Sequence, residues 1–249
     1  MGTLTGKVAF ITGGSSGIGL ATAALFAREG AQVIIAGRKR DRLDAAVREI
    51  GGGVVGLLGD VAELAFHTHA ADEIAARFGG LDIYVANAGI NTIRVSSEVT
   101  LAEYDAQFAI NTRAVFFGVQ AMAPIMRDGG SIVVTGSLAS EKVLEGHTVY
   151  AGTKAAIGAF ARNWALELKD RGIRVNVLSP GPTDTAIVDK LGVPPEARTS
   201  FMESMAAAIP LGRFADADEM ARAALFLVSD AGSFVTGVNL RVDGGMALV

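Results

Sequence analysis

The sequence predicts an α/β fold: a doubly wound, seven-stranded parallel sheet with helices on both faces, in a single domain spanning residues 1–249. Three observations predict it. Short apolar runs recur along the chain, amphipathic Ala-rich stretches separate them, and no Pro/Ser-rich or charged linker interrupts the alternation. Apolar runs of four or five residues read as strands buried on both faces, which requires helices above and below the sheet. Strands alternating with helices give right-handed crossovers and a Rossmann-like arrangement.

Each strand is bounded by a turn-forming residue. Val8–Thr12 stops at Gly13, Val33–Ala36 at Gly37, Val54–Leu58 at Gly59 and Ile83–Ala86 at Asn87. Ile132–Thr135 stops at Gly136, Val175–Leu178 at Ser179 and Val238–Val242 at Asp243. The helices expected between them are Gly17–Glu29, Asp41–Ile50, Glu63–Phe78, Leu101–Met126, Tyr150–Asp170 and Asp218–Val228. Only Pro180 to Pro210 breaks the rhythm: it carries Pro182, Pro194 and Pro195 and reads as strandless. A long loop at the C-terminal end of a strand is usually functional, so residues 182–210 are expected to form a substrate lid.

Composition narrows the function. Half the residues are hydrophobic and 19% are charged, enough to bury a large core without staples. With no cysteine there is no disulfide, thiolate zinc site or cysteine nucleophile. The net charge of −4 gives no general pull toward nucleic acid or anionic membrane. Met1 to Lys7 lacks the signal-peptide pattern, and the apolar run Val115 to Met126 is broken by Gln120 and Pro124. A soluble cytoplasmic protein is expected, with neither nucleic acid nor membrane as partner.

The first strand runs into Gly13-Gly14-Ser15-Ser16-Gly17-Ile18-Gly19 and then a helix. Gly13 suits a tight turn, Gly17 a close backbone approach to a pyrophosphate, and Gly19 the packing of helix on strand. The N-terminus of that helix offers free N–H groups and positive dipole to phosphates. No Gly-Lys-Ser/Thr follows, which argues against a nucleoside triphosphatase.

A site for NAD places Asp or Glu about 20 residues beyond the glycines, at the end of the second strand. Here that position is Gly37, followed by Arg38-Lys39-Arg40. Losing the carboxylate removes repulsion from a 2′-phosphate, and a guanidinium can pair with that phosphate bidentately. The cofactor indicated is NADP(H), through Arg38 and Lys39. NAD stays open, because these cations could simply begin a solvated helix.

Tyr150 and Lys154 lie four apart and share one helix face. Tyrosine ionises near 10, too high for a base at neutral pH unless a neighbour shifts it, and a lysine one turn away can stabilise the phenolate. Ser137, at the C-terminal end of its strand, can hold a substrate oxygen. Alone, a Tyr-x-x-x-Lys pair is an ordinary surface pair; Ser137 and the glycine loop give it meaning.

Thr12-Gly13-x-x-x-Gly17-x-Gly19, Asp60-Val61, Asn87-Ala88-Gly89, Asn111, Ser137, Tyr150-x-x-x-Lys154, Pro180-Gly181 and Asp243-Gly244-Gly245 together resemble the short-chain dehydrogenase/reductase family over essentially the whole chain. The resemblance implies Tyr150 as general acid/base, Ser137 as substrate polariser and Lys154 as the group that tunes the tyrosine and reaches the nicotinamide ribose. It implies that Asn111 holds a proton-relay water against its helix backbone. Asp60 would bind the adenine amino group with the Val61 backbone beside it, and Thr183 would meet the carboxamide. The family's other NADP marker, a basic residue before the second motif glycine, is Ser16 here. A homotetramer built through Leu101–Met126, Tyr150–Asp170 and the C-terminal strand is also implied.

The expected pocket residues are Ile90, Arg94, Leu138, Leu144, His147, Ile187 and Phe201, mostly apolar, for a small carbonyl or alcohol substrate. His147 either lines this pocket or is an exposed loop residue. His67 and His69 read as a solvated pair on a surface helix. Acyl-carrier-protein ketoreductases share the architecture, and the turn Met126-Arg127-Asp128-Gly129-Gly130 carries a cation that could meet an acidic carrier. Two other readings remain: an NAD(H)-dependent alcohol or sugar dehydrogenase, and a non-catalytic dinucleotide-binding regulator. The regulator should have lost Ser, Tyr or Lys, and none is lost.

Overall fold

A computed structural model describes residues 2–184 and 198–249. The strands are β1 (Val8–Thr12), β2 (Gln32–Gly37), β3 (Val55–Leu58), β4 (Leu81–Ala86), β5 (Met126–Thr135), β6 (Arg174–Pro180), β7 (Thr183–Asp184), β8 (Ala215–Asp216) and β9 (Asn239–Val242). The helices are α1 (Gly17–Arg28), α2 (Arg40–Ile50), α3 (Leu64–Phe78), α4 (Leu101–Phe108), α5 (Ala114–Met122), α6 (Thr148–Glu167), α7 (Arg198–Ala207) and α8 (Ala217–Val228). The main sheet has the order β3-β2-β1-β4-β5-β6-β9, and every pairing in it is parallel.

Alternate residues of the central strands enter opposite cores, which explains the unbroken apolar runs Val8–Ile11, Val33–Ala36, Ile83–Ala86 and Ile132–Val134. Phe10 of β1 joins Ile34, Tyr84 and Ile132 with Ala70, Val119 and Ile157 from α3, α5 and α6. Ala9 and Ile11 join Ile35, Val85 and Val133 with Phe26, Leu43 and Leu227 from α1, α2 and α8. The edge strand β3 instead alternates between exposed and half-buried residues.

The chain leaves β1 toward β2 and β3, then returns to build β4, β5 and β6 on the other side. The crevice at this reversal lies above the C-terminal ends of β1 and β4, where open α/β sheets bind ligands. Thr12 pairs with Ala36 and Ile11 with Val85, so these ends are level.

Two expectations are corrected. The helix expected over Leu101–Met126 is instead α4, a π turn at Ala109–Arg113, α5, a 3₁₀ turn at Ala123–Ile125 and the start of β5. A Thr100–Glu103 capping box starts α4, and Pro124, lacking an N–H, helps end the helical stretch. The segment Pro180 to Pro210 is not strandless: β7 pairs in parallel with β8, and α7 follows. Ile187 of the expected lid lies outside the described residues, as does the side chain of Phe201.

Candidate active site

The glycine loop is shaped for close approach. Gly13 and Gly17 have φ of +67° and +54°, conformations that favour glycine. A Cβ at Gly19 would stand 2.3 Å from the Gly13 carbonyl oxygen, so a side chain there would push the helix off the loop. Ser16, the N-cap of α1, is extended, its side chain makes no capping bond, and the first turn carries no acid. The amides of that turn therefore remain available to an anion, together with the helix dipole.

Behind the loop, Thr12 and Asn87 fasten the strand ends together. The Thr12 hydroxyl accepts from the amides of Asn87 (3.0 Å) and Ala88 (3.1 Å), while Asn87 Nδ2 donates to the Thr12 carbonyl at 3.0 Å. The Thr135 hydroxyl donates to Asn87 Oδ1 at 3.3 Å, tying in β5. Asn87 is thus a brace across three strands as well as part of a small-residue passage.

The residues expected to be catalytic converge at the end of β5. Ser137 stands just past the strand in extended conformation, and its Oγ accepts from the Ala139 amide at 3.1 Å. Tyr150 lies on the first turn of α6. Burial raises its pKa above the usual tyrosine value, and the hydrogen bond with Ser137 opposes that rise. One turn on, buried Lys154 donates from Nζ to the Thr135 carbonyl at 2.8 Å, with Nζ 5.7 Å from the Tyr150 ring centre. Burial pushes the Lys154 ammonium down to about 8.

Asn111 sits fully buried in the π turn. Its Oδ1 accepts from the Ile90 amide and its Nδ2 donates to the Ile90 carbonyl, both at 2.8 Å; Nδ2 also donates to Thr153 Oγ1 at 3.2 Å. Thr153 in turn donates to the Tyr150 carbonyl at 2.7 Å. The segment Gly89–Ile90 is thereby held between Asn111 and Lys154: a Cβ at Gly89 would lie 3.3 Å from Asn111 Oδ1 and 3.5 Å from Lys154 Nζ. Thr135 and Thr153 went unmarked in the sequence, because a lone threonine carries no local pattern.

At the far end of the crevice, Arg38 makes an exposed ion pair with Asp60 at 3.5 Å. Asp60 Oδ1 accepts from the Ala62 amide at 2.9 Å. A Cβ at Gly37 would meet Ser15 Oγ at 3.0 Å, so the glycine lets Ser15 lie against the end of β2. Lys39, the N-cap of α2, is exposed.

A family model described as enoyl-(acyl carrier protein) reductase matches residues 13–247. The chain is 39% identical to an oxidoreductase of Sarocladium schorii, covering 99% of this chain and 98% of that protein. It is 37% identical to the 3-oxoacyl-[acyl-carrier-protein] reductase of Thermotoga maritima, with 98% and 99% covered. The crystal structure of a short chain dehydrogenase from Burkholderia cenocepacia in complex with NADP superposes with a TM-score of 0.90, at 36% identity, covering 99% of this chain and all of that one.

The chain belongs to the short-chain dehydrogenase/reductase family. It is an oxidoreductase.

The remaining residues expected at the site of this oxidoreductase divide into those found there and those held elsewhere. Leu138 is buried, Leu144 and Ile90 are half-buried, and the His147 ring lies edge-on to Tyr150 at 6.1 Å, its Nδ1 2.8 Å from the Glu145 carbonyl. His147 therefore faces Tyr150. Arg94 does not offer its charge to the pocket: Nε and NH2 bind Glu103 at 3.2 and 3.0 Å, and its amide donates to Gly146. Thr183 is buried and donates to the Gly181 carbonyl at 3.0 Å, while Gly181 packs against Asp243 with no room for a Cβ. Arg127 is engaged by Asp82 at 2.6 Å and by the Phe78 carbonyl at 2.7 Å. It stands at the start of β5, the opposite end of the sheet from Ser137, so it is no docking surface beside the site. His67 is buried, which overturns its reading as one of a solvated pair; His69 is exposed. Among the described residues no helix is long and apolar enough to cross a membrane.

Proposed function

We propose that this enzyme moves a hydride between NADP(H) and a small carbonyl or secondary alcohol, with Tyr150 as general acid/base. The observation that carries the reading is the meeting of the Ser137 and Tyr150 hydroxyls over buried Lys154. Two hydroxyls at one point suit a substrate oxygen that gains or loses a proton. In reduction, Tyr150 gives its proton to that oxygen and Ser137 donates a hydrogen bond to it as charge develops. In oxidation the phenolate takes the proton back, and Lys154 stabilises it through the field of its ammonium.

The dinucleotide supplies or accepts the hydride when bound. The glycine loop and the first-turn amides of α1 suit its pyrophosphate, and Asp60 and Val61 its adenine. Asn87, Ala88, Gly89, Pro180, Gly181 and Thr183 would hold its nicotinamide end near Lys154. Arg38 and Lys39, with Gly37 in place of an acid, favour a 2′-phosphate.

Leu138, Leu144 and the His147 ring favour an apolar substrate, and the Arg94–Glu103 pairing removes a cation from the pocket wall. Self-association is part of the proposal. α4, α5 and α6 present Phe108, Phe116, Phe117 and Phe160 around a groove of about 680 Å³, an aromatic face suited to a second copy in a homotetramer.

Tyr150→Phe tests the chemistry. The variant is expected to bind NADPH with wild-type affinity while kcat falls about 10²- to 10⁴-fold across a ketone and alcohol panel. Retained turnover would remove Tyr150 from its role.

A further inference from the structure

α3 carries an enclosed side chain that the reaction does not use. His67 is buried on its first turn, with Nε2 2.8 Å from the Val61 carbonyl oxygen. A carbonyl only accepts, so Nε2 carries the proton and Nδ1 the lone pair. Nδ1 is buried and has no hydrogen-bond partner among the described residues. Burial also lowers the pKa of the imidazole, so the ring is neutral. Nearby is a cavity of about 10 Å³, the size of one water, lined by His67, Tyr84, Val61, Thr12 and Ala88 among others. Packing fixes the ring: Phe66 lies edge-on at 5.9 Å, and a Cβ at Gly118 would stand 2.3 Å from Tyr84 Oη and 3.4 Å from His67 Cε1.

The residue it holds is the one expected beside adenine. Side-chain bonds on residues 60–62 come from Arg38 to Asp60, Asp60 to Ala62, Arg113 to the Ala62 carbonyl, and His67 to Val61. The two arginine bonds are exposed and compete with water, and the Asp60 bond is internal to the turn. Only the His67 bond is buried, where its loss leaves a carbonyl without a partner.

We infer that His67 is a positioning residue for the dinucleotide, holding the Val61 main chain in the shape that receives the adenosine end. The inference rests on the dinucleotide reading above. A merely structural histidine would shift the melting temperature and leave dinucleotide affinity alone.

The test is titration of NADPH and NADH into wild-type protein and the variants His67→Leu, His67→Gln and His67→Asn, well below their melting temperatures. The Gln amide nitrogen can take the place of Nε2 and donate to Val61, whereas the shorter Asn does not reach it. Leu and Asn are expected to weaken the preferred dinucleotide about three- to tenfold, with kcat at saturating dinucleotide unchanged and Gln close to wild type. Folded Leu or Asn variants that bind as wild type, or a Gln variant no better than Asn, would overturn the inference. Should Leu fail to fold, the Gln and Asn pair decides. Wild-type protein that binds neither dinucleotide would instead overturn the reading beneath it.

Discussion

Lys154 sits where a charge is hard to keep. Its ammonium is buried, one carbonyl accepts from it, and burial holds it at about 8 against 10.5 in an open chain. Below pH 8 both folded and unfolded chains carry the charge, and the fold bears its desolvation. Between about 8 and 10.5 the folded form loses the proton first, so that cost is relieved as pH rises. Lys154→Met has no such group. Denaturant unfolding of both proteins at pH 7 and pH 10 should show wild type gaining on the variant by on the order of 3 kcal/mol. Parallel behaviour would mean that the ammonium is better solvated than its burial indicates.

The elements differ in how much of them could be read beforehand. β1, β2, β4 and the second half of β5 were legible because burial on both faces gives them unbroken apolar runs that glycine or a polar residue stops; the first half of β5, Met126–Gly130, read as a helix end and a turn because it carries Arg127, Asp128 and two glycines. The glycine loop, Ser137, Tyr150 and Lys154 stood out as candidates because their spacing along the chain is local, and the fold brings Ser137, Tyr150 and Lys154 together. The break in the helix after Leu101 was not. The π turn goes with Asn111 binding both backbone groups of Ile90, a partner 21 residues away. His67 was missed for a related reason: α3 has two histidines in alternation, and only packing against Phe66, Tyr84 and Gly118 buries one of them. Arg94 was placed in the pocket by its neighbours in sequence, but the capping acid of α4 claims it. Asn111→Ala should therefore unfold at lower urea, by about 1–3 kcal/mol, with loss of turnover, since Ile90 and Thr153 lose their buried partner. An unchanged midpoint would show that the π turn stands without the side chain.

At the scale of the whole molecule, the sheet order places the glycine loop, the Asp60–Val61 turn, the brace at Asn87 and Ser137 at the C-terminal ends of their strands, on one end of the sheet. The opposite end of the sheet holds Arg127 and Asp82, paired with each other. The aromatic face of α4, α5 and α6 belongs to a different surface, and light scattering of the purified protein should report four copies; a monomer would contradict the assembly proposed for that face. The crevice itself is probed by titrating NADPH and NADH into the purified protein while following nicotinamide fluorescence. NADPH is expected to bind at least about tenfold tighter, from charge-assisted bonds by Arg38 and the absence of an acid at Gly37. Equal or tighter NADH binding would contradict the role given to Arg38, and binding of neither would contradict the dinucleotide site.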